Sequence, residues 1–380
     1  MGFDVHILGT ASARPTPERA VSGSLVKGPD GIAVIDCGEG FQTRYAHQRR
    51  RLKAHGKGDA LKPGNVDVLA FTHGHLDHTW GALPWLQSMD LEGRQQPLLV
   101  LAPTSELAMD CLIQGTPFPE EIPPADLARQ FVMWFALGAG GIRFPVRWVL
   151  GDPTTDRWVQ VNPVDNMVTV LEAMPQPHGW KRTTLKPHPS SHTVPSCGWM
   201  VEHGPTPGAF DRERADELKL TTKQRARLAQ GEDVRGADGN LLESAWFRSE
   251  DFPPVSVLIS GDTTSCPPGW AVGLEPTLLV HEATYLNEQQ DKAHEHMHST
   301  AAGAVQTARA IGARYLALTH YSNRIKDSDE SKAEALTAAE GWPLVALNDA
   351  DRLLLNDAGH LTHLVWAADG WRRTSIPPNR

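Results

Sequence analysis

Four side chains able to bind a first-row metal ion fall within six residues of the run THGHLDHTWG, Thr72 to Gly81: His73, His75, Asp77 and His78. Imidazole nitrogens and carboxylate oxygens bind zinc at about 2.0–2.2 Å, and four donors this close in sequence do not readily converge on one tetrahedral ion. The spacing therefore predicts a binuclear centre. His73 and His75 would serve one cation, Asp77 and His78 the other, and the remaining positions would be filled from elsewhere. The competing explanation is a polar turn with surface histidines, and four ligand types in six residues argue against it.

Such ligands need elements to hold them. Val66 to Phe71 is a short apolar run of strand length, which places the cluster on the loop leaving a buried strand. The missing donors are sought at other strand ends. Val255 to Ser260 delivers Gly261-Asp262-Thr263, where Asp262 has two oxygens and suits a bridge between cations. Tyr315 to Thr319 delivers His320, after a helix marked by Ala301, Val305, Ala308 and Ile311 at helical spacing. His178, His188 and His192 compete for the last position, and His192 is preferred because it lies just before the strand-like end of Val194 to Val201.

The rest of the chain reads as an α/β layered sandwich, with strands at Phe3–Leu8, Ile32–Ile35 and Pro97–Ala102 and a helix over Ser105–Ile113. At 380 residues, with 21% charged and 40% hydrophobic residues, it can bury a sizeable core. We expect a single domain over residues 1–380, with a hairpin-rich insertion at about 118–185 and a projecting arm at about 204–254. Phe131 to Met174 reads as hairpins between Gly and Pro turns. The arm is helical over Arg212–Lys219 and Lys223–Gln230, with a turn at Ala237–Asn240. Cys37, Cys111, Cys197 and Cys266 lie far apart without a CxxC, so neither a disulfide framework nor a thiolate metal site is indicated. No leader-like n- and h-regions follow Met1 and no apolar stretch approaches a membrane span, which predicts a cytoplasmic protein with no membrane partner. The net charge of −9 offers no global attraction to nucleic acid. Locally, however, Arg44 to Lys57 gathers Arg44, Arg49, Arg50, Arg51, Lys53 and Lys57, enough positive charge to hold a phosphate backbone unless it is an ordinary solvated helix.

The assembly LGTASARPTPER (Leu8–Arg19), DCGEG (Asp36–Gly40), THGHLDH, HTVPSCGW (His192–Trp199), SGDT (Ser260–Thr263), HEAT (His281–Thr284), HST (His298–Thr300) and LTHYSNR (Leu318–Arg324) resembles ribonuclease Z of the metallo-β-lactamase superfamily. HxHxDH alone marks the superfamily, whereas HEAT, HST and LTHYSNR together are more specific. The resemblance implies an αββα sandwich, two zinc ions per chain (or manganese), a homodimer, and an endoribonuclease that removes the 3′ trailer of precursor tRNA. Carried onto this chain, it places His73, His75 and His192 on one ion, Asp77, His78 and His320 on the other, and Asp262 between them. Two cations would then activate a bridging water. Asp77 would orient or deprotonate that water, His298 would protonate the leaving 3′ oxygen or hold the phosphate, and Arg324 would bind a non-bridging oxygen. Glu282 would orient His298 or anchor its loop. Asp36 and Glu39 would accept hydrogen bonds from the far nitrogens of the ligands, and His294 and His296 would lie on the surface.

Arg49, Arg50 and Arg51 and the arm are the residues expected to meet RNA. The tip of the arm departs from the family, with Leu220-Thr221-Thr222-Lys223-Gln224 where a Gly/Pro-rich turn is usual. DCGEG continues as Phe41-Gln42-Thr43 where Thr-Gln is usual, and the tryptophan-bearing segment before His192 is long. Two alternatives follow from these departures: a hydrolase of the same fold acting on a small phosphodiester, sulfate ester or β-lactam, and a non-catalytic RNA-binding protein.

Overall fold

Apolar strand runs that are buried on both faces need cover on both, and in a computed structural model of the chain, which describes residues 2–56, 61–270 and 273–376, they receive it from a second sheet and from helices. The N-terminal portion supplies β1 (Phe3–Gly9), β2 (Gly23–Lys27), β3 (Ile32–Ile35), α1 (Phe41–Ala54), β4 (Val66–Ala70), α2 (Leu76–Thr79), α3 (Ala82–Leu91), β5 (Leu98–Pro103), α4 (Glu106–Gln114), α5 (Leu127–Ala136), β6 (Val146–Asp152), β7 (Arg157–Val161) and β8 (Val168–Leu171). The rest supplies β9 (Thr183–Pro189), β10 (Cys197–His203), α6 (Arg212–Glu217), α7 (Thr222–Ala229), β11 (Val234–Arg235), β12 (Leu241–Leu242), β13 (Val255–Ile259), β14 (Leu278–Glu282), α8 (Gln290–Glu295), α9 (Ala301–Ala310), β15 (Tyr315–Thr319), α10 (Ser328–Ala339), β16 (Leu344–Ala346), β17 (Arg352–Leu355), β18 (Leu361–Ala367) and β19 (Gly370–Arg373).

Among the described residues, eleven strands form one sheet in the order β19-β18-β17-β1-β2-β3-β4-β5-β6-β7-β8, and six form another in the order β16-β15-β14-β13-β10-β9. Side chains of both sheets meet in one core, where Val5, Val68 and Leu99 pack with Trp199, Val257 and Val280. A second core lies between the first sheet and the helices of the N-terminal portion, including Phe41 and Tyr45 of α1, Trp85 of α3 and Phe131 of α5. A third joins the outer face of the other sheet to α9 and α10 through Val305, Ala308 and Ala335. The layers are thus helix, sheet, sheet, helix, the αββα sandwich. Strand β4 shows how its sequence satisfies both sides: Leu69 and the following Phe71 face the helical layer, Val68 and Ala70 the other sheet. Each fully buried side chain of this kind contributes about 1.5–3 kcal/mol. No helix among the described residues is long and apolar enough to cross a membrane.

Runs β3-β4-β5 and β13-β14-β15 are each parallel, so their C-terminal ends share one edge of the sandwich. All of the strand-end loops singled out in the sequence leave from that edge, the usual place for a site in such sheets.

The segment read as hairpins from Phe131 begins instead inside α5. Asp126 caps that helix by accepting the Ala128 N–H at 2.8 Å, and Leu127, Phe131, Trp134 and Phe135 form its buried stripe. The hairpin pattern is right only from β6 onward, where β6, β7 and β8 extend the first sheet as an antiparallel meander. Beyond Arg324, β17 pairs antiparallel with β1 and brings the C-terminal hairpin onto the same sheet.

Residues 204–254 leave the second sheet after β10 and return at β13. Bridges Thr206–Phe252 and Phe210–Arg248 close the stem, and Ala215, Leu220, Leu228, Val234 and Phe247 form a core of their own. The unusual tip has a structural reason. Leu220 is buried in that small core, and Thr221 with Gln224 forms a capping box that starts α7. Truncation of the fully buried Phe247 to Ala should cost about 3–5 kcal/mol, spent within the arm: hydrogen exchange should accelerate over residues 206–252 and stay unchanged in β4 and β13, whereas acceleration in both would show that the arm folds with the sandwich.

Candidate metal centre

The site is built from five loops at the shared edge. His73, His75, Asp77 and His78 follow β4, His192 lies between β9 and β10, Asp262 follows β13, Glu282 ends β14, and His320 follows β15. Local contacts fix these loops to each other. Cys197 N–H donates to the Thr72 carbonyl at 2.9 Å, and the Trp199 indole donates to the Phe71 carbonyl at 2.8 Å, which ties the histidine-rich loop to β10. Gly261 has φ 59°, and a Cβ there would stand 2.4 Å from Thr72 Cβ, so only glycine lets the β13 loop approach closely enough to present Asp262. Asp36 (φ 61°), His320 (φ 62°), Met297 (φ 54°) and Ala13 (φ 63°) also have left-handed backbones. Such conformations cost about 1–3 kcal/mol each and persist where the surroundings over-determine them.

Three groups of candidate ligand atoms lie within 4.8 Å of one another: His73, His75, His192 and Asp262; Asp77, His78 and His320; and Asp262, His298 and His320. Asp262 stands between the first two. Its Oδ1 is 3.3 Å from both His78 Nε2 and His320 Nε2, and its Oδ2 is 3.7 Å from His73 Nε2 and 3.9 Å from His192 Nε2. The ring tautomers follow from the far nitrogens. His78 Nδ1 donates to Asp36 Oδ2 at 2.8 Å, and His192 Nδ1 donates to the Met297 carbonyl at 3.0 Å. Thr284 Oγ1 gives its proton to Glu282 Oε2 (2.6 Å) and so accepts from His320 Nδ1 at 3.0 Å. In the same way Thr72 Oγ1 donates to Asp36 and accepts from His73 Nδ1 at 3.1 Å. Each Nε2 therefore turns a lone pair inward, and His78 Nε2 and His320 Nε2 are 3.2 Å apart.

Lone pairs facing at that distance repel unless a cation lies among them. Asp262 Oδ1, buried, receives no hydrogen bond of acceptable geometry, which is the same requirement seen from the carboxylate. The residues thus fit divalent cations. Burial, reinforced by His192, lowers the pKa of His75 to about 4 and keeps the ring neutral, as a ligand must be. Burial works against the charge of Asp77, but His78 and His320 outweigh it and hold the carboxylate ionised.

His298 stands at the rim, with its ring 5.0 Å from that of His192 and 5.8 Å from that of His320. Its Nδ1 donates to Glu282 Oε1 at 2.8 Å. Burial lowers its pKa, yet Glu282 and Asp262 more than compensate and lift it to about 9. Glu282 Oε1 also accepts the Thr263 N–H, and Oε2 accepts Thr284 N–H and Oγ1, so one carboxylate bonds His298 and the loops after β13 and β14. Arg324 is exposed and its charge acts on Tyr285, whose ring lies 6.0 Å from His298.

Other expected residues lie apart. Glu39 is exposed and makes no hydrogen bond to a ligand histidine. Of the competing histidines, His188 is on β9 and His178 lines a cavity with Lys27 and Asp67. His294 and His296 are exposed. Among the described residues, none of Arg49, Arg50 and Arg51 contacts this constellation. Successive residues of α1 turn by about 100°, so the arginines fan out: Arg50 is exposed, Arg49 is partly buried, and Arg51 lies over the Trp366 ring at 4.9 Å. Lys57 lies outside the described residues. Sequence reasoning missed Thr72, Thr284 and Met297 as partners of the ligands. The two threonines stand inside motifs already noticed, whereas nothing in the type of Met297 signals that its carbonyl is used.

Fold and site together define a metal-dependent hydrolase of the metallo-β-lactamase superfamily, whose family model matches residues 16–94. The chain is 30% identical to the ribonuclease Z of Myxococcus xanthus over 86% of its own length and 88% of that protein. It is 31% identical to the ribonuclease Z of Salinibacter ruber over 88% and 89%. A long-form RNase Z from yeast has the same fold, with a TM-score of 0.55 and 15% identity over 92% of this chain and 41% of that one. The chain belongs to the ribonuclease Z family, and it is an endoribonuclease that depends on divalent metal.

Asp36 reaches this chemistry only through His78 and Thr72. Asp36→Asn should loosen the His78 ring and weaken metal retention about 10–100-fold in a chelator competition, with thermal unfolding of the metal-free protein as the control for folding; unchanged retention would mean that His78 is held by other contacts.

Proposed function

We propose that the protein removes the 3′ trailer of precursor tRNA with two zinc ions, His73, His75 and His192 holding one, Asp77, His78 and His320 the other, and Asp262 shared between them. The observation that carries this reading is the division of the Asp262 oxygens between two sets of inward-facing imidazole lone pairs. Two such ions, when bound, lower the pKa of a shared water and stabilise negative charge on phosphoryl oxygens.

The side chains do the rest. Asp77, kept ionised, takes the proton of the attacking water; the Ala13 N–H donates to its Oδ2 at 2.7 Å and fixes its direction. Glu282 is a positioning residue: with Nδ1 of His298 held by Glu282, Nε2 is left to give a proton to the departing 3′ oxygen. Arg324 binds a non-bridging phosphate oxygen from the rim beside Tyr285. Farther out, the arm meets the RNA body, and of the basic helix it is the exposed Arg50 that is free to join it. In this reading the working form is a cytoplasmic homodimer.

A 3′ alkoxide needs a proton to leave, whereas p-nitrophenolate does not. Purified protein should therefore cut a 3′-extended precursor tRNA and also turn over bis-p-nitrophenyl phosphate, and His298→Ala should lose about 10²–10⁴-fold on the RNA and far less on the ester. Ester turnover by the wild type without trailer cleavage would sink the tRNA reading. Equal losses on both substrates would remove His298 from the role of acid.

A further inference from the structure

A cavity of about 300 Å³, at the lower end of the range that small ligands occupy, opens beside His298. His298 is the one residue its lining shares with the ligand constellation. The other walls come from the residues after Asp262, from the Asn287–His294 segment and from the start of α9. The lining contains no Asp, Glu, Lys or Arg, and besides His294 and His298 its polar side chains are those of Thr264, Ser265, Asn287, Gln290, Thr300 and Gln306. The first N–H groups of α9 are already taken. Ala301 donates to the Tyr285 carbonyl, Ala302 to Glu334 and Gly303 to Thr300 Oγ1, so the helix start offers nothing to a phosphate. Asn287 accepts the Thr300 hydroxyl proton with Oδ1, which leaves its NH₂ to donate, and the exposed amides of Gln290 and Gln306 can both donate and accept. Neutral donors and acceptors of this kind match the edge of a nucleobase rather than an anion.

The proposed reaction says which nucleoside must come here. As a bond forms from the water oxygen to phosphorus, the bond from phosphorus to O3′ breaks. The water proton goes to Asp77, the proton on His298 Nε2 goes to O3′, and no atom changes oxidation state. The nucleoside that bears O3′ therefore lies within reach of His298, and the cavity bordered by His298 is where its ribose and base find room.

We propose that this cavity is the subsite for the nucleoside immediately 5′ of the scissile phosphate, with Gln290, Gln306 and Asn287 reading the edge of its base. The inference rests on the endonuclease reading above. It makes the enzyme selective for the base at that position, a selectivity located away from the arm and from the basic helix.

The test uses the metal-loaded protein and four 3′-extended RNAs that differ only in the nucleotide before the cleavage point. Wild type should prefer one base. Gln306→Ala and Gln290→Ala should each lower kcat/KM on the favoured RNA about tenfold, the worth of one hydrogen bond in a site, and flatten the preference while hydrolysing bis-p-nitrophenyl phosphate at the wild-type rate. A wild type that cuts all four RNAs alike overturns the subsite, as does a preference that survives both substitutions. RNA cleavage that is absent while the ester is turned over overturns the endonuclease reading, and the subsite with it. If one variant also loses ester turnover, its fold is damaged and the other decides.

Discussion

His78 Nε2 and His320 Nε2 stand 3.2 Å apart, and Asp262 Oδ1 lies 3.3 Å from both. Around the other oxygen of Asp262, His73 and His192 repeat the arrangement at 3.7 and 3.9 Å. Such a set of groups is unstable when left alone, and it is the constraint on which the rest of the structure depends. Hydrogen bonds on the far side of each ring fix the tautomer: Asp36 behind His78, Thr72 behind His73, Thr284 behind His320 and the Met297 carbonyl behind His192. Removing any of these lets a ring rotate and relax the repulsion, at the expense of the cation site.

The sandwich supplies the stiffness that this arrangement demands. Parallel runs in both sheets end at one edge, so donors nearly 250 residues apart in sequence, such as His73 and His320, meet across the interface of the two sheets. The left-handed backbones of Asp36 and His320 and the close approach of Gly261 to Thr72 are conformations that an isolated loop would abandon. They are retained because the sheet core beneath, with Trp199, Val68 and Val257 buried, leaves the loops no room to relax.

Much of this was legible in the amino-acid sequence because the signals are local. The strand runs before His73, Asp262 and His320 appear where expected, and the spacing of Ala301, Val305, Ala308 and Ile311 marked a helix whose apolar face is buried. Helix α5 was legible in principle, since Asp126 caps it and its apolar residues recur at helical spacing, but the surrounding Trp, Gly and Pro pattern suggested turns. The pairing of β17 with β1 was not, because a strand partner about 350 residues away leaves no local mark. The basic run shows the opposite limit. Its charge density is plain in the sequence, yet a helix spreads consecutive arginines around its axis, so the run does not translate into one basic face. Nor does a sequence disclose a cavity such as the one beside His298, whose walls come from three separate segments.

The central claim is that Asp262 divides the site into two cation positions. Anomalous diffraction at the zinc edge from crystals of the zinc-loaded protein tests it most directly. Two peaks flanking Asp262, one bounded by His73, His75 and His192 and the other by Asp77, His78 and His320, are predicted; a single peak, or peaks that leave either group of histidines unused, would contradict the account.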